Sequence, residues 1–142
     1  MTGFALDEFL PYRLAVAAGR VSRAFERRYR AEAGISVPEW RVLAHLSQQG
    51  EVSVREIEAR ADMEKSKVSR AAARLEQQGL IEKRDHPGDG RLVSLSLTEE
   101  GRAVMARLAP LAIAFQAELQ ALLGEGSTGF EHSLSVLSKS RF

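Results

Sequence analysis

Glu64-Lys65-Ser66-Lys67-Val68-Ser69-Arg70, followed by Leu75-Glu76-Gln77-Gln78-Gly79-Leu80-Ile81 and then Asp89-Gly90-Arg91, is the stretch on which the fold turns. From Lys65 onward Val68, Ala72 and Leu75 lie four and three apart, the period of a helix buried along one face. Gly79 takes the position just past that helix where a left-handed residue is wanted. Beyond it the period drops to two. Residues 80–84 and 92–97 flank Asp85-His86-Pro87-Gly88-Asp89-Gly90, a run of turn formers, which predicts a β-hairpin. In its return strand Val93, Leu95 and Leu97 are expected on a packed face, and Ser94 and Ser96 on a wet one.

Working outward, Ser53-Val54-Arg55-Glu56 has the S-x-x-E form of a capping box and leads into Ile57 and Ala61, a helix of two turns that ends near Asp62. Ser36-Val37-Pro38-Glu39 repeats the form ahead of Trp40, Leu43 and Leu46, and Gly50 closes that helix. Before it, Leu10, Leu14, Ala17, Val21, Phe25 and Tyr29 mark a long amphipathic helix that ends at Gly34, with Pro11 tolerated near its first turn. After the hairpin, Thr98 caps a fifth helix that carries Val104, Leu108, Leu111, Phe115, Leu119 and Leu122 to Gly124. Phe130, Leu134 and Leu137 give a sixth beyond a loop at 124–129. The expected order is ααααββαα, mainly α with a small β-wing, in a single domain over residues 1–142.

The 142 residues, 44% hydrophobic, suffice for a real core. Twenty basic residues nearly cancel nineteen acidic ones, so the distribution of charge matters more than the net +1. Lys65, Lys67, Arg70 and Arg74 form one basic stripe, and Arg20, Arg23, Arg27, Arg28 and Arg30 form another, relieved only by Glu26. The absence of cysteine excludes disulfides, thiolate zinc sites and thiol-based oxidant sensing. His45, His86 and His132 stand far apart without metal-binding spacing, so neither a metal nor a cofactor is expected. There is no phosphate-cradling Gly-rich loop, no G-x-S-x-G and no paired His and nucleophile, so no enzyme is expected either. Apolar runs fall short of the roughly 18–20 residues of a membrane span, and Asp7 and Glu8 stand where a signal peptide would be basic. The expectation is a cytoplasmic protein.

Two short helices joined by a tight turn, the second with small polar and basic residues in its first turns, meet the needs of helix-turn-helix recognition. A helix enters the major groove only if its groove face is not bulky. Ser66 and Ser69 leave room, while Lys67 and Arg70 can reach base edges or phosphates, and Arg74, a turn further on, is assigned to phosphate. Arg91 at the wing tip is a candidate for a narrow minor groove, whose negative potential attracts Arg. Asp89, two residues earlier, is placed to orient that guanidinium. A solvated basic face is the alternative for the helix, and plain turn formation the alternative for Asp89-Gly90.

Together the Ser53 to Ala61 helix, Lys-Ser-x-Val-Ser-Arg, Leu-Glu-x-x-Gly-Leu-Ile, the Asp-x-Arg wing and Leu-Thr-x-x-Gly resemble the MarR (multiple antibiotic resistance regulator) family. The resemblance covers nearly the whole chain and is most specific over residues 64–101. It implies a homodimeric winged helix-turn-helix regulator of transcription. Residues 36–98 would form the DNA-binding lobe, and residues 7–34 and 99–142 the dimerisation helices. Ser66, Lys67, Ser69 and Arg70 fall on its recognition positions, and Asp89 and Arg91 on its wing motif. Terminal helices more apolar than a small winged domain can bury also argue for two-fold pairing, although packing within one chain is the alternative. A two-fold dimer predicts a pseudo-palindromic operator with half-sites about 10 bp apart.

The resemblance further implies a repressor released by a small molecule, an aromatic carboxylate or its thioester, held between the dimer helices and the DNA-binding lobe. Arg20, Trp40 and His45 are the candidate lining residues. Each also has a plainer role: Trp40 in the core, Arg20 as a solvated or DNA-facing charge, His45 satisfied locally. Architectural DNA binding without a ligand is the competing function.

Overall fold

The structure, a computed structural model, describes residues 3–86 and 89–142, with the backbone alone at 86 and 89–92. A 3₁₀ turn, Leu6–Glu8, leads into α1 (Leu10–Ala33). Then come α2 (Val37–Gln49), β1 (Glu51–Ser53), α3 (Val54–Ala61) and α4 (Lys65–Gln77). The hairpin strands are β2 (Ile81–His86) and β3 (Asp89–Leu97), followed by α5 (Glu99–Leu123), a 3₁₀ turn (Gly124–Gly126) and α6 (Ser127–Lys139). The chain is mainly helical with one small antiparallel sheet, as the sequence predicts, and the local signals act where they stand. Gly34 closes α1 at φ +66. The Ser36 hydroxyl accepts the Glu39 N–H while the Glu39 carboxylate accepts the Ser36 N–H at 2.9 Å. The Ser53 hydroxyl accepts the Glu56 N–H at 3.2 Å.

Three features depart from expectation. β1 is a strand of three residues that periodicity could not reveal, because Ser53 both ends it and caps α3. It pairs with β3, so the sheet order is β1-β3-β2, and Val52 lies opposite Leu95. That makes β3 a central strand. Ser94, expected on the wet face, is therefore buried between Ser53 and Arg84, while Val93 and Leu97 are only half-buried. Strand pairing also runs further toward the tip than the expected turn at residues 85–90, reaching His86 opposite Asp89 across an irregularity at Asp85/His86. Finally, α6 begins at Ser127, inside the expected loop.

The core lies under α2, α3, α4 and the sheet: Ile35, Val42, Leu43, Leu46, Val52, Ile57, Val68, Ala72, Leu75, Leu95 and Leu108 are essentially inaccessible. Burial fades toward the terminal helices. Leu10, Leu14 and Val21 on α1, and Leu134 and Leu137 on α6, remain exposed, although they carry helical spacing as good as that of the core. An apolar stripe left in water on both terminal helices marks a face built for another surface.

The end of α4 is tied to the start of α5. Gly79 adopts φ +76, and the Gly79 and Leu80 N–H groups donate to Glu76 and Leu75 carbonyls, a complete Schellman closure. The Thr98 hydroxyl then donates to the Gly79 carbonyl at 2.6 Å and accepts the Gly101 N–H at 3.0 Å, while the Thr98 N–H donates to Leu80. α4, the β2–β3 hairpin and α5 thus meet at one hydrogen-bonded joint.

Candidate nucleic-acid interface

Between α3 and α4 the chain turns through Asp62 in the left-handed region (φ 50), which a short polar side chain tolerates. Met63 is buried beneath the turn. Val68, Ala71, Ala72 and Leu75 bury one face of α4, and the small alanines let it lie close to α2. The opposite face carries Ser66, Lys67, Ser69, Arg70, Ala73 and Arg74, all exposed. The candidate readers thus share one solvent face at the N-terminal end of the helix. Among the described residues neither Lys67 nor Arg70 has an ion-pair partner, so both cations stand free. Helix N-terminal amides add a positive dipole end on the same side.

Arg74 differs from these. Its Nε lies 3.7 Å from Oε1 of Glu39, a carboxylate of α2 only 2% exposed, while the Arg74 side chain itself is 72% exposed. Asp89 and Arg91 are the first and third residues of β3, and their side chains lie outside the described residues.

The three candidate ligand residues do not converge. Arg20 is exposed on α1. His45 follows Trp40 by five residues on α2, about 140° around the helix, and is close enough to Arg60 of α3 to feel its charge. Trp40 instead joins an aromatic cluster that links α1, α2 and α5. It stacks on Tyr29 with centroids 5.5 Å apart and meets Phe25 edge-on at 5.1 Å, and Phe25 stacks on Phe115 at 5.2 Å. Arg28 lies 4.9 Å over the Phe115 ring and is gripped by both oxygens of Glu118. That hydrogen bond holds the Glu118 carboxyl below its ordinary pKa. Burial pushes the Tyr29 phenol up to about 12, so it stays neutral at physiological pH. Phe25, Tyr29 and Phe115 read in sequence only as helix-face positions, because the contacts that gather them come from three different helices. Among the described residues no three His, Asp or Glu side chains gather as a metal site would require, and no helix is long and apolar enough to cross a membrane.

Burial, and then the charge of Arg60, hold the His45 pKa below its ordinary value. The unfolded chain then binds more protons than the folded one. The contribution of His45 is therefore complete above its unfolded pKa of about 6.5 and is lost as pH falls toward the folded value. His45→Gln is expected to flatten the decline of thermal stability on the acid side of about pH 6.5, measured as Tm in half-unit pH steps.

A sequence model of the MarR family matches residues 33–92. The HTH-type transcriptional repressor IacR of Pseudomonas putida is 32% identical over 105 residues, 74% of this chain and 62% of that protein. The chain thus spans less than two thirds of that relative. Among solved structures, Bordetella bronchiseptica BpsR, whose DNA binding is regulated by 6-hydroxynicotinic acid, shares the fold at TM-score 0.84 and 20% identity, covering 99% of this chain and 100% of that one. Sco3205 from Streptomyces coelicolor, a MarR family transcriptional regulator solved in complex with DNA, matches at TM-score 0.81 and 25% identity, covering 98% of this chain and 90% of that one. With a capped α3, a short α4, a β2–β3 hairpin and flanking helices in this order, the chain has the winged helix-turn-helix fold of MarR family regulators and matches that family's sequence model over residues 33–92.

Proposed function

We propose that this chain is a homodimeric, sequence-specific DNA-binding regulator of transcription, a repressor released from a pseudo-palindromic operator by a small aromatic acid or its thioester. One observation carries the DNA reading: the solvent face of α4 groups Ser66 and Ser69 with Lys67 and Arg70, cations without an ion-pair partner among the described residues, over a helix whose other face is fully packed. The named repressor IacR and the DNA-bound Sco3205 support it. Arg74 adds a phosphate contact, and Arg91, with Asp89 behind it, reads the wing side. Pairing through the terminal helices would cover Leu10, Leu14, Leu134 and Leu137, which are among the large apolar side chains left in water.

The effector reading rests on the cluster of Phe25, Tyr29, Trp40 and Phe115. A ligand aryl group would have to open this stack, in which Tyr29 is buried, and its carboxylate would compete with Glu118 for the Arg28 guanidinium at the junction of the dimer helices and the DNA-binding lobe. Arg20 stands two turns before Arg28 on α1 as a second cation. A ligand wedged there would release DNA if it favours a dimer shape in which the two α4 helices no longer match successive major grooves.

A salt series tests the DNA reading. Affinity for the protein's own upstream DNA should fall linearly in log–log form with slope about −0.9 per phosphate contacted, and operator should outbind random duplex at every salt concentration. A ratio near one throughout would leave only architectural binding.

A further inference from the structure

The side chain of Glu39 does two jobs that the capping motif does not require of it together. Oε2 accepts the Ser36 N–H at 2.9 Å and the Ser36 hydroxyl at 2.6 Å, which completes the cap of α2. Oε1 is buried and, among the described residues, accepts no hydrogen bond. A buried carboxylate oxygen without a donor is costly, and its nearest cation is Arg74 at 3.7 Å, reaching across from α4. Arg30 of α1 also feels the Glu39 charge, but its own hydrogen bond goes to Glu26 at 2.7 Å. The guanidinium of Arg74 thus has a fixed anion facing its Nε, while the side chain itself is largely exposed to solvent.

Building on the DNA reading, we propose that Glu39 is a positioning residue for DNA binding, which aims the Arg74 guanidinium at a backbone phosphate. An arginine has five donors in a rigid fork, so one edge can face the carboxylate while the other faces phosphate. The cap fixes Glu39, Glu39 fixes Arg74, and the outward edge meets DNA already ordered. Ordering a free arginine costs rotamer entropy that this arrangement removes before binding.

The proposal makes a prediction opposite in sign to bulk electrostatics. Removing a negative charge near DNA should tighten binding if only the field matters. Glu39→Gln keeps the cap, because glutamine serves at that position of the box. Its loss of aim is expected to weaken operator binding about 3- to 30-fold, within the range of coupling between neighbouring groups. In an Arg74→Ala background the same change should be silent, and Arg74→Ala itself should lower the salt slope by about 0.9 per half-site. Arg74→Lys, an exposed change that leaves the core alone, keeps the charge but loses the fork. It should weaken binding and also silence Glu39→Gln. Unchanged or tighter binding by Glu39→Gln, or an equal loss with Arg74 absent, would overturn the proposal. If the wild-type chain shows no operator preference, the DNA reading fails, and that outcome is separate from these.

Discussion

Gly101→Ala is expected to cost about 3 kcal/mol or more of folding stability and to lower Tm on the order of 10 °C. By helix propensity the change should help, because Gly101 lies inside α5 and alanine is favoured there by about 1 kcal/mol. Packing decides against it. A Cβ at 101 would sit 2.0 Å from the Leu80 carbonyl oxygen and 3.0 Å from its carbon, and backbone cannot rotate away as a side chain can. Relief requires Leu80 to move, yet the same carbonyl accepts the Thr98 N–H at 3.0 Å, and Thr98 holds both Gly79 and the Gly101 N–H. The joint between α4 and α5 would open as a unit. Gly129→Ala in α6 supplies the contrast: nothing lies within 4 Å of its Cβ position, so the substitution should be neutral or stabilising by about 0.5–1 kcal/mol. Thermal unfolding of both variants checks the pair. Equal Tm values would mean that the close approach at Leu80 is absent in solution.

The same joint shows where sequence reading succeeds and where it stops. Thr98 as a cap and Gly79 as a left-handed closure are local chemistry, legible from neighbours three or four residues away. That position 101 must be glycine depends on the Leu80 backbone, twenty-one residues earlier, and follows only from the resemblance or the fold. The burial of Ser94 likewise depends on β1, a strand too short to show a period and paired across more than forty residues. On α4 the candidate readers are legible because exposure there follows directly from helical spacing: Val68, Ala72 and Leu75 go in, so Lys67 and Arg70 face out. Glu39 read only as a cap because its second oxygen acquires meaning when α2 packs on α4. The aromatic cluster proposed for the effector is the least legible. Trp40, Phe25 and Phe115 come from three helices, and no spacing within any one of them announces that they meet.

Arg70→Ala is expected to remove most of the discrimination between operator and random DNA. A bidentate arginine contact with guanine O6 and N7 is worth about 1–3 kcal/mol, and a two-fold dimer makes it twice, so the loss is roughly 2–6 kcal/mol, on the order of 30-fold to 10⁴-fold. The fold should not notice: Arg70 is exposed on α4 with no partner among the described residues, so stability should change by no more than about 0.5 kcal/mol. Charge and geometry can be separated with Arg70→Lys. Lysine keeps the cation, so binding to random duplex and the salt slope should stay near wild type, but it lacks the fork, so operator preference should still fall. Arg74→Ala should behave in the complementary way, weakening both DNAs alike and lowering the slope while the ratio between them survives. Competition binding at two salt concentrations with these three variants assigns each arginine to base or backbone. If Arg70→Ala weakens operator and random DNA by the same factor, Arg70 is a phosphate contact, and base reading on α4 would fall to Lys67 with the serines beside it.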